Sequence, residues 1–106
     1  MKLVLAIVNK DDSGTVSSAL TREGFSVTKL ATTGGFLMSG NTTFLVGVDD
    51  NRVDEVMKVI EKHSKKRSQM IPSATYGNAA YASMPVEVTV GGATVFVMNI
   101  ERYERI

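Results

Sequence analysis

The stretch TTGGFLMSGNTTFLVGV, residues 32–48, gathers several residue types that can hold a small charged ligand. Thr32, Thr33, Gly34 and Gly35 offer two hydroxyls and closely approachable backbone N–H groups, the donors with which a backbone nest holds phosphate. Phe36 and Leu37 supply an apolar plane on which a flat ring can stack. Asn41 carries an amide whose donor and acceptor suit the edge of a base such as adenine. Gly47, in the middle of a strand-like run, marks a point where a ligand or another backbone can come close. The segment is not a Walker loop, because no Gly-Lys-Ser/Thr follows and no helix starts there. A plain glycine-rich hairpin with a local hydrophobic cluster fits the same residues, and their chemistry leaves both readings open.

Elsewhere the chain offers little reactive chemistry. His63 is the only histidine and sits among Lys62, Lys65 and Lys66 at an expected helix end. That is a poor setting for a metal ligand or a general base, since a metal site needs several convergent ligands. With no cysteine there is no thiolate site, disulfide framework or cysteine nucleophile, as suits a reducing cytosol. No nucleophile–base pair can be assembled, so an enzyme is the least expected class. The basic run Lys62–Arg67 lacks interleaved aromatics and reads as a solvated helix end. The sequon Asn41-Thr42-Thr43 is a coincidence of residue types in a chain without a signal peptide. A net charge of +1 gives no whole-protein attraction for nucleic acid or an anionic membrane. No segment approaches the length of a membrane span, and MKLVLAIV is stopped at once by Asp11 and Asp12, so a cytoplasmic location is expected.

These residues need a scaffold. With 106 residues, 43% hydrophobic and 22% charged, the chain is expected to form one domain over residues 1–106. Leu3–Val8 reads as a first strand, covered on one or both faces. Asp11, Asp12 and Ser13 offer N-cap oxygens for a helix in which Val16, Ala19 and Leu20 fall at helical spacing, and Gly24 suits its C-terminal stop. Phe25–Ala31 is a second strand and Thr43–Val48 a third. Asp49, Asp50 and Asn51 can cap a second helix, with Val53, Val56, Met57 and Ile60 as its apolar stripe. Residues 64–84 show no periodicity, and a loop of that length is expected to be functional, to be mobile, or to hide an element. Val86–Val90 alternates strictly, Gly91–Gly92 reads as a two-residue hairpin turn of the primed type, and Ala93–Ile100 returns as a further strand. The order β-α-β, β-α-β, β indicates an α+β, ferredoxin-like sheet with an extra C-terminal strand. Its helix-free face would stay apolar, and a symmetric oligomer would cover it.

The segments VTKLATTGGFLMSGNTTFLVGVDDNRVDEV and PVEVTVGGATVFV resemble the PII-like cyclic di-AMP receptor family of Gram-positive bacteria, and the likeness spans nearly the whole chain. The resemblance implies a ferredoxin-like homotrimer that binds cyclic di-AMP in clefts between neighbouring subunits and signals without catalysis. Thr28 and the Gly34–Gly35 backbone would contact phosphate. Phe36 and Leu37 would line one adenine pocket, Asn41 and Gly47 would recognise a base edge, and Tyr103 in the tail would cover the second adenine. Gly91 and Gly92 would belong to the cleft wall or to the adjacent subunit. Residues 64–84 would be the family's large loop and TTGGF its small one. The chain departs from the pattern at Ser26, where close relatives often have Arg, in the large loop, SATYGNAAYASMP, and in the tail, ERYERI. No cofactor or metal is implied, only the ligand cyclic di-AMP and an unknown protein target. The competing expectations are a PII-like sensor of ATP or ADP, and an interaction trimer without a ligand.

Overall fold

The computed structural model describes residues 1–30, 40–72 and 85–106; Gly34, Gly35, Phe36 and Leu37 lie outside the described residues. The elements run β1 (Lys2–Asn9), α1 (Lys10–Arg22), β2 (Val27–Leu30), β3 (Asn41–Val48), a 3-10 turn (Asp50–Arg52), α2 (Val53–Ser64), β4 (Arg67–Pro72), β5 (Pro85–Val90) and β6 (Ala93–Asn99). Four strands form one antiparallel sheet in the order β2-β3-β1-β6, and β4 pairs only with β5 in a separate two-stranded ribbon. This is a small α+β fold with an antiparallel sheet and two helices, compatible with a ferredoxin-like arrangement.

The period of two in β1 assigns the two faces of the sheet. Val4, Ala6 and Val8 are buried against the helices, whereas Leu3, Leu5 and Ile7 point to the opposite face and are half-buried. Register carries the same division across the sheet: Ala6 lies opposite Phe44 on β3 and Val95 on β6, and Leu5 lies opposite Leu45 and Phe96. The core joins Val4, Val8, Phe44 and Val46 of the sheet to Val16 and Leu20 of α1 and Val56 and Ile60 of α2. Phe25 precedes β2 instead of opening it, and its side chain enters this core under the Arg52 guanidinium, 4.2 Å from the ring centre.

The helix ends differ from the expected caps. Asn9 caps α1, its side-chain oxygen accepting from the Asp11 N–H at 2.9 Å, which moves Asp11 and Asp12 into the first turn, where carboxylates suit the helix dipole. Gly24 closes α1 as expected, at φ 88°: its N–H donates to Thr21 O and that of Phe25 to Leu20 O, both at 3.0 Å, the paired bonds of a Schellman stop. Neither Asp49 nor Asp50 caps α2 through its side chain. The 3-10 turn feeds the helix directly, and Asp50 instead meets the N-terminal ammonium at 2.7 Å. Met57 is partly exposed, so the buried stripe of α2 is narrower than its spacing suggests.

The aperiodic stretch 64–84 does hide an element: its first part forms a strand, β4. One topological expectation is corrected. Gly91–Gly92 is not a hairpin turn, because β5 and β6 belong to different sheets; the two glycines, both at φ 84°, carry the chain from the ribbon into the main sheet. The additional strands therefore lie between α2 and the last strand of the sheet, not at the C-terminus. β4 and β5 pack chiefly on each other. The chain is correspondingly long, 58 × 26 × 19 Å, with a radius of gyration of 16.9 Å, against about 13 Å for a compact chain of this length.

Candidate functional site

Asn41 opens β3 and stands opposite Asn9, at the end of β1 that leads into α1. The entry to β3 is fixed by Gly40, whose φ of 93° turns the chain and whose carbonyl accepts from the Lys10 N–H at 2.6 Å. At the same end of the sheet, β6 begins beyond Gly91–Gly92, with Thr94 opposite Ile7. The linker is held from the far end of α2, where the Gly92 N–H donates to the Ser64 carbonyl. The outcome is a cleft of about 230 Å³ lined by Asn41, Lys66, Gly91, Gly92 and Thr94, with Ile7 among its walls. Three residues singled out in the sequence, Asn41, Gly91 and Gly92, thus come together from segments far apart in the chain.

Gly91 has no space for a side chain. A Cβ there would lie 2.6 Å from Lys65 O and 2.7 Å from Arg67 Nη1. Arg67 is held in that position by Asp12, with Nη2 2.9 Å from one carboxylate oxygen and Nη1 3.2 Å from the other. The Asp12 side chain is only 10% exposed. This two-pronged pairing, which also raises the Arg67 pKa above its ordinary value, ties the root of the β4–β5 ribbon to the first turn of α1. Away from the cleft, the Arg52 guanidinium hydrogen-bonds Glu55 and holds its carboxyl below the usual range, and the N-terminal ammonium does the same for Asp50.

The remaining described candidates lie elsewhere. Thr28 on β2 faces Leu45 across the strand pair and is exposed on the helix-free face. Gly47 lies opposite Leu3 near the other end of β3; a Cβ there would meet only the Met1 methyl, at 3.9 Å. Since Asn41 and Gly47 are six residues apart on one strand, they are separated by roughly 20 Å at about 3.4 Å per residue, too far for one base to reach both within a single chain. Tyr103, 61% exposed, follows β6 as it leaves the sheet at the Gly47 end, where Asn99 pairs with Lys2. The candidates thus form two groups at opposite ends of the sheet, with Thr28 between them.

Lys66 and Arg67 read in the sequence as members of a basic run at a helix end. In the fold that run divides: Ser64 is buried, Lys66 lines the cleft and Arg67 turns onto Asp12. The signal for this is the aperiodic stretch itself, whose first residues form β4. His63 is half-buried near the end of α2. Among the described residues no three His, Cys, Asp or Glu side chains come close enough to hold a metal ion, and no helix is long and apolar enough to cross a membrane.

A family model described as "Cyclic-di-AMP receptor" matches residues 1–106 of the chain. Among solved structures, a protein of unknown function from Pediococcus pentosaceus ATCC 25745 is similar, with 41% sequence identity and a TM-score of 0.78. That match covers 99% of this chain and 96% of the other.

Proposed function

The chain belongs to the cyclic-di-AMP receptor family, and from that premise we propose that it binds cyclic di-AMP in clefts between the subunits of a homotrimer and regulates a protein partner through the loops that rim them. The family match over the whole length carries the receptor reading. The division of the candidate residues favours a shared site. The cleft at Asn41, Gly91 and Gly92 holds about 230 Å³, below the roughly 300–1,000 Å³ usual for a ligand pocket. It can take one part of a cyclic dinucleotide, a phosphate or one base. Gly47 and Tyr103, at the far end of the sheet, would supply the rest from a neighbouring copy. Thr28 and the Gly34–Gly35 backbone would meet phosphate, while Phe36 and Leu37 would cover a base. Ligand binding shifts a receptor only if one loop state holds the ligand better than the other. The partner would read that shift as a changed surface.

Calorimetric titration with cyclic di-AMP tests this directly. The expected outcome is saturable binding with one site per subunit, displaced poorly by excess ATP, and weakened at least tenfold by Asn41→Ala and by Phe36→Ala. Absence of binding, or preferential displacement by ATP, would refute the reading.

A further inference from the structure

Cyclic di-AMP carries two phosphodiesters, each with one negative charge. The residues that the family resemblance assigns to the ligand offer hydroxyls, amides and rings, but no cation. The cleft contains one. Lys66 lies along its wall with its aliphatic stem laid over Gly92: a Cβ on Gly92 would stand 2.9 Å from Lys66 Cγ and 3.2 Å from Cε. The same arrangement recurs at Gly40, the neighbour of Asn41, where the Lys10 stem crosses the glycine with its Cδ 3.3 Å from the corresponding position. Both glycines have positive φ, and each is flanked by a residue of the cleft, Gly91 in one case and Asn41 in the other.

The charges nearby are unevenly matched. Arg67, a third cation at this end, is already satisfied by both oxygens of Asp12. Neither Lys66 nor Lys10 takes part in any of the ion pairs among the described residues. With the Asp12 carboxylate committed to Arg67 and neither lysine in any of those ion pairs, an anion entering the cleft meets unpaired ammonium groups. A lysine suits such an anion, because its ammonium acts as a point charge at the end of a flexible stem and can follow a phosphate as the ligand seats.

We propose that Lys66 is the phosphate-neutralising residue of the cleft, with Lys10 as its counterpart beside Asn41, and that Gly92 is glycine because a side chain would displace the Lys66 stem. Arg67 takes no phosphate; it positions the ribbon root from which Lys66 reaches the cleft. The inference rests on the receptor reading above.

The test is the affinity for cyclic di-AMP of the full-length chain and of Lys66→Gln, Lys66→Arg and Gly92→Ala, each measured at about 0.05 and about 0.5 M salt, where screening lengths differ severalfold. Lys66→Gln should bind about tenfold more weakly at low salt, the scale of a lost charge-assisted contact, and should lose much of the salt dependence of the parent. Lys66→Arg should keep both, and Gly92→Ala should resemble Lys66→Gln. Thermal midpoints show that each variant is folded. If Lys66→Gln binds as tightly as the parent with the same salt dependence, the assignment is wrong while the receptor reading stands. If the parent itself binds no cyclic di-AMP, both fall.

Discussion

At Gly91 the chain has room for a hydrogen atom and nothing larger. Two independent penalties meet there: a φ of 84° and the crowding of Lys65 O and Arg67 Nη1. Gly14 is the opposite case, inside α1 with no atom within 4 Å of its missing Cβ. Gly14→Ala should therefore raise the free energy of unfolding by about 0.5–1 kcal/mol, and Gly91→Ala should lower it by about 1–2 kcal/mol from the backbone penalty alone. Chemical denaturation of the two variants checks both signs. The caps show what residue types do and do not reveal. Asp11, Asp12 and Ser13 are all credible N-caps for α1, yet Asn9, also a strong capping type, takes the position because β1 runs one residue further and delivers it to the helix start. No local pattern separates these choices. The roles of Lys66 and Arg67 are hidden for a related reason: a run of like charges says nothing about which members the fold turns inward.

At the scale of elements, both helices and β5 are legible in the sequence through their periods, and β1, β2, β3 and β6 as short runs rich in apolar and β-branched residues. The β4 strand is not. RSQMIP has no alternation, since a strand of a two-stranded ribbon away from the core is under no demand to present one apolar side. The same ribbon makes Gly91–Gly92 misleading. Two glycines between two alternating runs signal a hairpin, but the partner of β5 is the strand without a pattern. Such ribbons are marginal by themselves in water, so this one depends on what ties down its root. Arg67→Ala should therefore accelerate amide hydrogen exchange in β4 and β5 while leaving protection in β1 and β3 unchanged. Equal protection of the ribbon in the parent and the variant would mean that Asp12 does not anchor it. For the helix ends, Asn9→Ala should cost about 1 kcal/mol, the usual value for a lost side-chain cap.

Over the whole molecule, the helix-free face is the feature that a single chain leaves unresolved. Leu3, Leu5, Ile7 and Leu45 are half-buried there, and Leu30, Phe96 and Met98 are more exposed, with Phe96 at 53%. The flanking strand β6 has a free edge. An apolar surface of this kind beside a free strand edge is what assembly covers. The proposed trimer accounts for it, and Phe96→Glu tests the proposal: sedimentation should show trimers for the parent and a shift towards monomer for the variant, with far-ultraviolet circular dichroism unchanged. Of the candidate site, the sequence makes Asn41 and the paired glycines visible as residues, but not their meeting, since Gly91 reaches Asn41 only through the crossover from ribbon to sheet.

The alternation along β1 also predicts how the gene tolerates change. In a saturation mutational scan, Val4, Ala6 and Val8 should accept almost no polar residue, since they face the helices. A chain that worked alone would accept them readily at Leu3, Leu5 and Ile7. Equal intolerance at both sets, erasing the period of two from the fitness profile, would be the genetic trace of a second copy seated on the open face.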